Sequence, residues 1–212
     1  MTKIPQTPAR RTTGRVLHGA GLYDFLAFLF TRGREHHLRE RMIQLAGLDR
    51  GDTVLDVGCG TGTLAIAAKW RVGSAGAVFG IDASPAMVAK AIRKSARAGV
   101  DVAFTKAFVE ALPFPDARFD TVLSTMMLHH LPRQVRRQGI AEIRRVVKPH
   151  GRLLVVDFAR PQGRHGILER FHRHGHVDFA DVKAMLTNAA FTVTEDGPVG
   201  FGSLQFVRAS AP

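Results

Sequence analysis

The sequence predicts an α/β fold in which an open, mostly parallel sheet carries helices on both faces. Three observations carry that expectation. Short apolar, β-branched runs alternate with segments of helical periodicity from about residue 53 to residue 190. The first run passes through closely spaced glycines straight into a helix, as nucleotide-binding sheets do. The chain ends on two strand-like segments, Phe191–Glu195 and Ser203–Ala209, joined by a glycine-rich turn that suits a hairpin.

Taken in order, the first fifteen residues contain Pro5, Pro8 and Gly14 and read as a basic arm, and Tyr23–Phe30 as an apolar helix. Residues 1–34 therefore form an arm and a covering helix, ahead of one domain over 35–212. In the next segment Leu38, Met42, Leu45 and Ala46 fall at helical spacing and Gly47 ends the helix. Thr53–Val57 is a buried parallel strand, Thr63–Trp70 a helix, Ala77–Ile81 a strand. Pro85–Ala98 is a helix with proline in its first turn, and Val102–Thr105 and Phe119–Ser124 are strands. Arg133–Val147 is a helix with Val135, Ile140, Ile143 and Val147 inward. Arg152–Phe158 is a strand, and Asp178–Ala190 a helix whose Asp178 and Asp181 suit its N-terminus. Five strands thus precede the hairpin, and four of them are followed by a helix.

Composition excludes several classes. At 212 residues, 45% hydrophobic and 23% charged, the chain fits one folded domain and not a disordered or collagenous one. One cysteine leaves no intramolecular disulfide and no thiolate-cluster metal site. With no apolar leader in the opening residues, the chain reads as cytoplasmic. The net charge of +12 is uneven: residues 1–41 hold eight basic side chains against three acidic, and residues 133–176 hold eleven against three. That excess suits an anionic acceptor or peripheral contact with an anionic membrane, or is a solvated arginine-rich face.

The richest segment is Val54-Leu55-Asp56-Val57-Gly58-Cys59-Gly60-Thr61-Gly62. Glycines allow a tight turn and let a ligand lie on the backbone, and the following helix aims its amides at that ligand. The dinucleotide pattern G-x-G-x-x-G fails, because Thr63 stands where its third glycine belongs. Asp56, two residues before Gly58, can orient a ligand ammonium. Asp82, at the end of the second strand, can accept both ribose hydroxyls, and Ala83 and Met87 follow where a base would lie.

Four motifs in register resemble the class I S-adenosylmethionine-dependent methyltransferases, and most of all the branch containing the ubiquinone and menaquinone C-methyltransferases. They are VLDVGCGTG, VFGIDASPAMV, VEALPFPDARFDTVLSTMMLHHLP and VVKPHGRLLVVDF, within about residues 35–160. The resemblance implies a three-layer αβα, doubly wound, Rossmann-like fold: a seven-stranded sheet, mostly parallel, with an antiparallel last strand. It implies S-adenosyl-L-methionine as cofactor, with Asp56, Gly58, Cys59, Gly60 and Gly62 on the methionyl side. Asp82 would hold the ribose, with Ala83, Met87, Phe108, Val109 and Glu110 near the adenine and Ser124 and Thr125 at the end of the fourth strand. Two departures stand out: Phe108 replaces the aspartate usual before the fourth strand, and His150 replaces a glycine.

Methyl transfer from a sulfonium needs alignment and dryness, with a base only where the nucleophile must lose a proton. His129 and His130, after the fourth strand, are the base candidates, or else cap and pack the next helix. Tyr23 resembles the family's active-site cover. His165, His172, His174 and His176 lie in an arginine-rich stretch that reads as a lid between strand and helix, and no metal is expected. There is no [ND]-P-P-[YF] motif for exocyclic base amines and no Pro-Cys nucleophile, so a small-molecule or lipid-like acceptor is expected and nucleic acid is not. Two alternatives stay open: a nicotinamide-dependent oxidoreductase on the same fold, and a basic protein binding nucleic acid or a membrane surface.

Overall fold

The computed structural model describes residues 34–159 and 175–212. Seven strands form one sheet: β1 (Thr53–Val57), β2 (Ala77–Asp82), β3 (Ala103–Lys106), β4 (Phe119–Thr125), β5 (Val147–Phe158), β6 (Thr192–Pro198) and β7 (Leu204–Ser210). Their spatial order is β3-β2-β1-β4-β5-β7-β6. The first five run parallel, and β7 is antiparallel to both β5 and β6. The terminal pair is thus the expected hairpin, inserted so that the last strand reverses direction against β5.

Among the described residues five α-helices cover the sheet: α1 (Glu35–Ala46), α2 (Thr63–Val72), α3 (Pro85–Arg97), α4 (Arg133–Val146) and α5 (Phe179–Asn188). Strand alternation assigns them to faces. Leu55, Val122, Leu153 and Val155 pack with Val135, Ile140 and Ile143 of α4 and Val182 and Leu186 of α5. Their strand neighbours Val54, Leu123, Leu154 and Val156 pack on the other face with Leu38, Met42 and Leu45 of α1 and Leu64, Ala65 and Ala68 of α2. β1, β4 and β5 are apolar on both faces because both faces are covered. Helix ends follow the sequence chemistry. Gly47 closes α1 at φ 59°, Ser84 caps α3, and Asp178 caps α5 by accepting from the Ala180 amide at 2.9 Å.

As expected, β3 joins β4 without a helix, so four strands are followed by one. Residues 107–118 turn through a Phe108–Ala111 bridge and are pinned from α4. The Arg145 guanidinium donates to the carbonyls of Leu112 and Phe114 and to Glu142 and Asp116, and the Leu112 amide returns to Glu142. One expectation needs correction: β5 starts at Val147, five residues before the expected Arg152, and its register against β4 shifts between Phe119 and Thr121. His150 takes φ 60° in that irregular start, the left-handed conformation glycine adopts most readily. The arm at 1–33 with Tyr23, and the segment 160–174 with His165, His172 and His174, lie outside the described residues.

Candidate active site

The strand order reverses between β1 and β4, so their C-terminal ends open a crevice where ligands bind in doubly wound sheets. The glycine loop fills the start of that crevice. The amides of Gly58 and Cys59 both donate to the Ile81 carbonyl at 2.9 Å, tying the loop to β2. Gly58, Gly60 and Gly62 take φ of 73°, 53° and 77°, which explains glycine at each. A Cβ on Gly58 would lie 2.4 Å from Cγ of Met127, and one on Gly62 would lie 2.6 Å from the Phe104 ring. The space beside Gly62 thus belongs to packing between β3 and α3, a reason not visible in the spacing.

Two carboxyls face this loop. Asp82 closes it: Oδ2 accepts from the Gly60 amide at 2.9 Å and Oδ1 from the Ser84 amide at 2.8 Å. Burial raises its pKa, and those two amides oppose the rise. Asp56 is different. It is 1% exposed, and neither carboxyl oxygen has a hydrogen-bond partner. Burial first, then the neighbouring Asp82, pushes its pKa from 3.8 to about 7, while the Ala65 amide of α2 acts weakly the other way. Ser124, buried at the end of β4 in register with Val57, also has an unpartnered hydroxyl. The site therefore carries buried polar groups with unmet capacity at its centre, which a folded protein keeps only for a reason. The Cys59 thiol is buried, and burial followed by Asp56 and Asp82 pushes its pKa well up, so it is no thiolate nucleophile.

The remaining candidates distribute unevenly. Met87 is 2% exposed at the first turn of α3, yet lies outside both apolar clusters of the described residues. Ala83 is half-buried beside it. The Ala107 amide donates to the Asp82 carbonyl, which brings the stretch through Phe108 and Glu110 to the edge of the site. Phe108 and Glu110 are half-buried, whereas the Val109 side chain turns into the core and would sit 2.7 Å from a Cβ on Gly139 of α4. Thr125 ends β4, and Met126 behind it has φ 51° with its amide on the Val156 carbonyl. His129 and His130 share a single-turn helix, Leu128–His130, their rings 3.8 Å apart.

Sequence reasoning missed Asp157. It sits at the C-terminal end of β5, fully buried, and accepts from Nδ1 of His129 at 2.6 Å. The signal was there: Asp157 is the one charged residue in the apolar run Leu153–Phe158. Among the described residues no group of His, Cys, Asp and Glu could hold a metal, and no helix is long and apolar enough to cross a membrane.

Comparison with known proteins agrees with this geometry. A family profile described as "Methyltransferase domain" matches residues 54–151. The ubiquinone/menaquinone biosynthesis C-methyltransferase UbiE of Marinomonas sp. is 33% identical over 163 residues, 76% of this chain and 64% of that protein. The demethylmenaquinone methyltransferase of Thermus thermophilus is 36% identical over 151 residues, 71% of this chain and 67% of its own length. The chain thus spans slightly less than two thirds of the Marinomonas relative. A crystal structure of a SAM-dependent methyltransferase from Aquifex aeolicus superimposes with a TM-score of 0.72 at 26% identity, covering 89% of this chain and 98% of that one. With the glycine loop, the paired aspartates and the reversed last strand in place, the chain belongs to the S-adenosylmethionine-dependent methyltransferase family.

Proposed function

We propose that this chain transfers a methyl group from S-adenosylmethionine to a small-molecule or lipid-like acceptor. The observation that carries the proposal is Asp56: a buried carboxyl without a partner, at the end of β1 inside a glycine loop. Such a group calls for a cationic ligand, and the ammonium of a methionyl moiety is one. The cofactor supplies an electrophilic methyl on a sulfonium, a leaving group that needs no acid. The chain's residues do the holding: Asp56 and the Ser124 hydroxyl toward the methionyl end, Gly58 to Gly62 beneath it, and Asp82 on the ribose. Each Asp82 oxygen keeps a lone pair beyond the one its amide uses, so it can still accept a hydroxyl. Met87, Ala83 and Phe108 offer apolar contact to the adenine, with Glu110 and the Val109 backbone beside them. Tyr23 and the 160–174 segment are proposed to cover the acceptor.

The first two curated relatives described above are named for quinone methylation, so a reduced quinone ring is the acceptor to test first. The +12 charge suits an anionic acceptor or an anionic membrane surface approached from the cytoplasm. A pyrophosphate on this loop is disfavoured, since Asp56 would meet it with negative charge, and Thr63 stands where the third glycine of the dinucleotide pattern belongs. The test is transfer from methyl-deuterated S-adenosylmethionine to a prenylated dihydroxynaphthalene, read by mass spectrometry. A labelled product is expected. Cofactor-product binding with no labelled product would refute the quinone acceptor, and absence of binding would refute the reading entirely.

A further inference from the structure

Asp157 is held by three donors. The His129 amide donates to Oδ2 at 3.1 Å, the Phe158 amide to Oδ1 at 2.8 Å, and Nδ1 of His129 to Oδ1 at 2.6 Å. The two side chains are 3% and 1% exposed. Two rings bound the imidazole: His130 lies against it at a tilt with centroids 3.8 Å apart, and the Phe158 ring meets it edge-on at 5.2 Å. A buried carboxylate bound to Nδ1 selects one tautomer, with the proton on Nδ1 and a bare lone pair on Nε2. A histidine that only capped the next helix would not need a dry carboxylate behind it.

We propose that Asp157 positions His129 as the base that takes the acceptor's hydroxyl proton during methyl transfer. The proposal rests on the methyltransfer reading above and assigns its base. The hydroxyl proton moves to Nε2 of His129, and the O–H bonding pair becomes a lone pair conjugated with the ring. At oxygen that pair itself forms the bond to the methyl carbon; at the ring carbon beside it the pair becomes a C=O bond while the ring π pair forms the bond. The carbon–sulfur bond of the cofactor breaks with its electrons left on sulfur. After transfer at carbon the ring proton leaves to solvent, its C–H pair restores the aromatic ring, and the ring oxygen takes back the proton held on Nε2 of His129. Thioethers and tertiary amines carry no proton for His129 to take, so the dyad has no work on them. His129 is the residue that touches the acceptor, while Asp157 acts through it.

The test needs a readout other than turnover. In the complex with S-adenosylhomocysteine, 15N spectra of histidine-labelled protein, assigned with His129→Gln, should show His129 protonated at Nδ1 and bare at Nε2. Asp157→Asn should mix the tautomers. Adding 1,4-dihydroxynaphthalene should shift Nε2 of His129. A wild-type protein protonated at Nε2 would overturn the dyad, and an unmoved Nε2 would overturn the role of His129 as the base. With the same probe as acceptor, His129→Gln and Asp157→Asn should lower kcat about 10²–10⁴-fold with KM within a few-fold, and Asp157→Glu should recover part of the loss. Equal kcat in Asp157→Asn would overturn the positioning role. Calorimetry with S-adenosylhomocysteine on the same samples separates the failures: no binding by wild type refutes the methyltransfer reading, whereas normal binding with unaltered turnover refutes the dyad alone.

Discussion

Replacing Asp56 by asparagine should make the ligand-free protein more stable at pH 8 than it is in wild type. The folded-state pKa of Asp56 is raised from 3.8 to about 7 by burial and by Asp82. Below pH 4 the side chain is protonated in both folded and unfolded chains. Between pH 4 and pH 7 the folded chain keeps the proton while the unfolded chain has lost it, so stability falls as pH rises. About 3 pH units at 1.36 kcal/mol each give about 4 kcal/mol lost by pH 7, with no further slope above it. Asparagine keeps the shape and removes the charge, but its buried amide costs about 1–3 kcal/mol without partners. The net gain at pH 8 is therefore about 1–3 kcal/mol, shrinking toward pH 5. Urea unfolding of both proteins at pH 5, 6, 7 and 8 measures it, and other titrating groups cancel in the difference. A wild-type-minus-variant difference that stays constant across this range would refute the reasoning. The same variant should bind S-adenosylhomocysteine more weakly, because the proposed site sets this charge against the ligand's ammonium.

Gly60→Val places a β-branched residue at φ 53° in the loop that Asp82 holds. Circular dichroism should show a retained fold and calorimetry a loss of S-adenosylhomocysteine binding; normal binding would make the loop a mere connector. Phe119→Ala removes a fully buried ring that meets Phe79 at 5.7 Å and Phe114 at 5.0 Å, both edge-on. It should cost about 3–5 kcal/mol and lower the Tm by about 6–20 °C, read by thermal melts.

Much of this was legible before the coordinates because local chemistry and tertiary role coincide. The strand residues around Val54 and Leu153 are apolar on both faces, which only a doubly covered sheet requires. Asp178 and Gly47 announce helix ends by chemistry that acts within one turn. What escaped depends on contacts distant in sequence. The hold of Arg145 on the link from β3 to β4 reaches across about thirty residues. Gly62 is dictated by Phe104, and β5 starts early because Val147 pairs with Phe119. At the site, Asp56 and Asp82 were visible in their motifs, but a lone aspartate in an apolar strand gives no hint of its partner. The His129–Asp157 pair spans 28 residues and exists only once β4 and β5 lie side by side.

The most direct test of the central claim is calorimetric titration of S-adenosylhomocysteine into wild type and Asp82→Ala. Asp82 is expected to accept the ribose hydroxyls as a largely buried, charged acceptor, and such bonds are worth about 2–3 kcal/mol together. Wild type should bind saturably with one site, and Asp82→Ala, folded by circular dichroism, should bind about 30–150-fold more weakly. A folded wild type that takes up no S-adenosylhomocysteine, or an Asp82→Ala variant that binds it equally well, would contradict the assignment of this crevice.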